Sequence, residues 1–142
     1  VKPGAVIARI LLAAVALVVV GWLALGLRSA VLTERGRQQI LDTFNANAPA
    51  PETTRMLARA ERDLSAAGLL NPDREPRSLR AKALAGMGDR RRARVLARQG
   101  IRDEPDNADI LEAARVVGVI LMDRRLQAEA IRRMKGLNPP RR

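Results

Sequence analysis

The sequence predicts an all-α protein in which one N-terminal transmembrane helix is followed by a domain of antiparallel helical hairpins. Three observations predict it. Ile10 to Leu27 carries no charged residue. Pro72, Pro105 and Pro139 follow one another at intervals of 33 and 34 residues. Between those prolines the apolar residues recur at the i, i+3, i+4 spacing of amphipathic helices.

The uncharged run reads ILLAAVALVVVGWLALGL. As a helix rising about 1.5 Å per residue it covers roughly 27 Å, close to a hydrocarbon core of about 30 Å. Arg9 and Arg28 bracket it and can extend to the two head-group layers. Trp22 stands toward one end, where an interfacial aromatic belongs. The three form the expected membrane interface. The competing reading is a secretory signal with Lys2 and Arg9 as its basic region. The apolar run is longer than such signals use, and Arg28 fits a cleavage motif poorly. The flanking basic residues are nearly balanced: Lys2 and Arg9 on one side, Arg28, Arg35 and Arg37 on the other. A long domain translocates regardless of its charge. The expected orientation is N-terminus inside and domain outside.

Composition narrows the chemistry. The chain has 142 residues with no Cys, His or Tyr. Disulfides, thiolate or imidazole metal sites and His- or Cys-based catalysis are thereby excluded. Basic residues outnumber acidic ones, 26 to 15, for a net charge of +11. Lysine occurs only at Lys2, Lys82 and Lys135, so the excess is arginine. Such a surface favours anionic partners, although interspersed acids also fit a solvated helix face.

The soluble part is punctuated regularly. Leu70-Asn71-Pro72, Glu104-Pro105-Asp106 and Asn138-Pro139 each close a helical stretch. Aligned on the prolines, Ala60, Ala93 and Gln127 share one position. Leu64, Ala97 and Ile131 share the next, and Ala67, Gly100 and Met134 the third. These offsets fall on one helical face. Gly88 provides a helix stop and Asp89 the next N-cap, predicting helices over Arg77 to Met87 and Arg90 to Asp103. Asp106 is the expected N-cap of the following helix, with Asp109 in its first turn. That helix presents Ile110, Leu111, Ala114, Val117, Gly118, Leu121 and Met122 to the core. Leu126, Ala130, Ile131 and Met134 restart the pattern after Asp123. Earlier in the chain, helices are expected over about Thr33 to Asn47 and Glu52 to Ala67, joined by a loose Ala-Pro-Ala-Pro linker.

Gly88-Asp89, Ala93 and Pro105, with Ala81 before them, resemble the small-residue and terminal-proline pattern of the tetratricopeptide repeat family. The likeness covers about Thr33 to Pro140. The Trp and Tyr of the family pattern are missing, and Arg115 occupies a position usually held by a small residue. With the apolar run as anchor, the chain divides into an anchor over residues 1–28, a membrane-proximal helix and Pro-rich linker over 29–51, and, as the resemblance implies, a TPR-like hairpin domain over 52–142. An ordinary bundle of hairpins with proline stops would give a similar pattern.

No catalytic constellation, phosphate loop or cofactor motif is present in the sequence, so the expected catalytic, cofactor and metal sites are none. Asp103, Glu104, Asp106 and Asp109 cluster at a helix junction, where capping explains them better than a cation. Nucleic acid is disfavoured because Phe44 is the domain's single aromatic residue. The sharpest charge feature is a stripe of Arg91, Arg94, Arg98 and Arg102 on one helix face. A second candidate surface is Val116, Val119 and Ile120, which widen an apolar arc beyond the stripe a one-sided helix needs. The family resemblance implies a non-catalytic accessory or adaptor subunit docking on a larger bacterial membrane or envelope complex. The alternative is a binder of anionic lipid or envelope polymer through the arginine stripe.

Overall fold

The computed structural model describes residues 3–45, 50–70 and 75–137. Among them the chain is all-α: α1 (Pro3–Asn45), α2 (Ala50–Leu70), α3 (Glu75–Gly86), α4 (Arg90–Asp103), α5 (Ala108–Ile120) and α6 (Arg124–Leu137). Pro72, Pro139 and the first half of the Ala-Pro-Ala-Pro segment lie outside the described residues, as does the side chain of Arg9.

The longest element is α1. Its N-terminal part is long and apolar enough to cross a membrane, and none of that apolar window is buried against the rest of the chain. Trp22 is 74% exposed on this surface. Ala46 and Asn47 lie outside the described residues, and as far as Asn45 the apolar run and the helix expected from Thr33 are one continuous helix. The reason is local: Arg28-Ser29-Ala30-Val31-Leu32 holds no proline or glycine to interrupt the backbone hydrogen bonds. Packing begins at Ser29, which is buried and donates its hydroxyl to the Ala67 carbonyl of α2 at 3.2 Å. Farther along, Gly36 sits against Leu64, and Ile40 joins Leu57, Ala60 and Leu64 in a first core cluster.

α2 begins earlier than expected, with Ala50 and Pro51 in its first turn. A proline is accommodated there because the first-turn N–H groups have no intrahelical partner. The turn after α3 follows the sequence expectation. Gly88 has φ of +82°, a conformation that L side chains rarely adopt. Asp89 then caps α4 by accepting from the Arg92 N–H. At the next junction the cap is Asn107 rather than Asp106. Its side chain accepts from the N–H groups of Asp109 and Ile110. Asp and Asn cap almost equally well, so residue type alone does not choose between neighbours.

The helices pair consecutively as hairpins, and the first helices also stack, α3 against both α1 and α5. A second core cluster joins α3, α4, α5 and α6 through Leu84, Ala93, Ile101, Leu111, Val117 and Leu126, among others. The aligned positions Ala60, Leu64 and Ala67 are fully buried, as is Ala93, and Ala97 and Gly100 are nearly so. In α6 the register differs. Leu126 and Ala130 are fully buried, whereas Gln127, Ile131 and Met134 are half-buried. α4 is covered by both α3 and α5, while α6 packs mainly on α5 among the described residues. Its buried face therefore rotates toward that one neighbour. Met122 also departs from the expected core: it has φ of +54° in the α5–α6 turn and is exposed.

Candidate functional site: a charged groove between the first helices

Stacking α1, α3 and α5 side by side opens a groove that no single segment of sequence announces. Arg37, Ile40 and Leu41 come from α1, Glu75, Leu79 and Lys82 from α3, and Asp109 and Glu112 from α5. Helical spacing explains each placement. Arg37 and Leu41 are four residues apart on one face of α1, and Leu79 and Lys82 three apart on α3. Leu41 is half exposed, so it offers an apolar surface inside a charged rim.

The charges are partly engaged with one another. Arg37 pairs with Glu75 across the α1–α3 contact. Arg115 holds Glu112 in a two-pronged arrangement, with Nε to Oε2 at 2.7 Å and Nη2 to Oε1 at 2.6 Å. That hydrogen bonding keeps the Glu112 carboxyl below its ordinary range, with the charge of Lys82 adding to the effect. Lys82 is half-buried at the centre of the groove. Desolvation lowers its pKa, opposed by the nearby carboxylates of Glu112 and Asp109 and reinforced by Arg37 and Arg115. The groove thus alternates sign over a short distance and is lined partly by hydrocarbon. Such a surface can hold an extended or helical peptide through paired charges and an apolar contact.

The sequence-derived candidates occupy other faces. Arg91, Arg98 and Arg102 are exposed along α4. Arg94 reaches across to Asp123 at 2.6 Å, so one member of the stripe ties α4 to the start of α6. Asp123 also accepts from the Leu126 N–H, and these contacts lower its pKa, the backbone bond foremost. Of the apolar candidates, Val119 is 50% exposed, Val116 is half-buried, and Ile120 packs against the second core cluster. They do not form one open patch. In the acidic junction Asp103 pairs with Arg77 at 2.9 Å, and Glu104 accepts from the Asn107 side chain at 2.6 Å. Among the described residues no group of three acidic, Cys or His side chains is arranged to hold a metal ion.

The sequence marks the groove only indirectly. Its lining residues lie between Arg37 and Glu112 on three separate helices, and Arg115, which holds Glu112, is conspicuous in the sequence as a large residue at a position the repeat pattern gives to a small one. No family model matches the chain, and neither a curated protein nor a solved structure matches it.

Proposed function

We propose that this chain is a non-catalytic, single-pass membrane adaptor whose TPR-like hairpins receive a segment of a partner protein in the α1–α3–α5 groove. The observation that carries the reading is the groove itself, built from three stacked first helices and lined by Leu41 within a ring of alternating charge. Its height above the bilayer supports a membrane-bound partner. In this reading α1 crosses the membrane up to Leu27. Arg37 to Leu41 then stand roughly 15–21 Å farther along the same helix. A segment seated there belongs to a protein that is itself at the membrane. A bacterial cytoplasmic-membrane or envelope complex, with the domain outside and the N-terminus inside, is the setting we propose.

The test is co-purification from gently solubilised membranes, comparing the native chain with Leu41→Arg. Leu41 is half exposed, so the substitution leaves the core untouched. The variant is expected to keep its helical circular dichroism and to lose the membrane proteins that accompany the native chain. Recovery of the same proteins with both chains would remove the groove as the docking site.

A further inference from the structure

α1 and α2 run antiparallel, and their contacts fix how far α2 reaches toward the bilayer. Ser29 of α1 bonds to Ala67 of α2, while Ile40 packs in the same cluster as Leu57. In this register each step along α2 matches a step back along α1. Leu69, two residues beyond Ala67, therefore stands level with Leu27, the last residue of the apolar run. Leu69 is 86% exposed, more than any other large apolar side chain among the described residues of the helical domain.

The outer face of α2 changes character toward this end. Arg55, Arg59, Arg62, Ala66 and Leu69 succeed one another at intervals of four and three residues, and all are exposed. They therefore form one stripe along the helix. The stripe is cationic where it lies far from the apolar segment and apolar where it draws level with it. Arg62 is about 10 Å above Leu69 along the helix axis, and its long side chain can reach down to a phosphate while Leu69 meets hydrocarbon.

We infer that the C-terminal tip of α2 is a second membrane contact, in which Leu69 enters the boundary between head groups and acyl chains and Arg62 engages lipid phosphate. The occupant of this surface is the lipid of the bilayer that α1 crosses, so the inference rests on α1 being a span. Leu69 is two residues past Ala67 and points away from α1, so the contact lies to one side of the span. One helix leaves a domain free to rotate and tilt over the membrane. A second contact beside it fixes the direction in which the groove faces.

The chain has no native cysteine, so single-cysteine variants report individual positions. Leu69→Cys, Val18→Cys and Val119→Cys would each carry an environment-sensitive fluorophore in the full chain. Each would be reconstituted into vesicles of phosphatidylethanolamine and phosphatidylglycerol. Val18 reports the middle of the span. Val119 lies near the C-terminal end of α5, distant from the α2 tip, and reports water. The Leu69 probe is expected to shift its emission to the blue and to be quenched by lipid bearing a spin label high on the acyl chain. The Val119 probe is expected to show neither change. A Leu69 probe that behaves like the Val119 probe, with Val18 quenched by a deep label, would overturn the second contact and leave the span standing. A Val18 probe that escapes quenching would overturn the span and this inference with it.

Discussion

Replacing Val18 and Val19 together by arginine is expected to abolish insertion of α1. Both residues lie near the middle of the apolar run and are exposed on the helix, with no protein surface to cover a charge. An arginine near mid-span costs about 2.5–3.5 kcal/mol on insertion scales. Two of them cost roughly 5–7 kcal/mol, which lowers the inserted fraction by three or more orders of magnitude. Docking of α1 onto α2 begins only at Ser29, so the helical domain should fold as before. The check is a membrane-insertion assay read by protease protection, with Val18→Leu and Val19→Leu as the matched control. Protection of the arginine variant equal to that of the control would show that the segment does not depend on a hydrocarbon environment.

The second large effect is expected at Gly118, where α5 lies close against the backbone of α6. A Cβ placed on Gly118 would stand 2.9 Å from the Gln127 backbone nitrogen and 3.1 Å from its Cα. A side chain can rotate away from such a clash, but backbone cannot without moving α6. Alanine normally improves a helix interior by about 0.5–1 kcal/mol relative to glycine. Here the overpacking term is larger, about 1–3 kcal/mol, and the net effect is a loss. Gly118→Val, which adds two further carbons at the same contact, is expected to be worse still. Gly136 in α6 provides the opposite case, because a Cβ added there would meet nothing within 4 Å. Gly136→Ala should be neutral or stabilising. Thermal unfolding of the two alanine variants checks the contrast. Melting temperatures that move in the same direction would mean that the α5–α6 contact has room for a methyl group.

Much of the fold was legible because its signals are local. Asp89 and Gly88 bracket a turn whose chemistry is contained in the turn itself, and the helix over Arg90 to Asp103 begins and ends where the sequence places it. The small residues at Ala60, Ala93 and Ala97 mark a face that packing buries. Features that depend on neighbours were less legible. Gln127, Ile131 and Met134 share the alignment of Ala93, Ala97 and Gly100, yet burial moves to Leu126 and Ala130 because α6 packs mainly against one helix, α5. Met122 continues the apolar period of α5 but falls in a turn with positive φ, where periodicity no longer applies. The continuity of α1 was hidden by a change in composition at Arg28 that does not change the backbone.

The groove was the least legible feature, because it joins residues from three helices. Arg37, Lys82 and Glu112 are far apart in sequence, and only stacking brings their charges together. The arginine stripe is the converse: conspicuous in sequence, it is partly consumed by the Arg94–Asp123 bridge. Exposed arginines at intervals of three and four residues recur on α2, where the distance to the apolar segment gives them a different meaning. Position relative to the apolar segment of α1 is a tertiary property, and it follows here from the Ser29–Ala67 contact.

Both the groove and the α2 tip take their meaning from α1 lying in a bilayer. Alkaline carbonate extraction of membranes carrying the full chain tests that claim most directly, because it strips proteins held by charge and leaves those held by hydrocarbon. The full chain is expected to stay in the membrane pellet. Release of the full chain into the supernatant would contradict it.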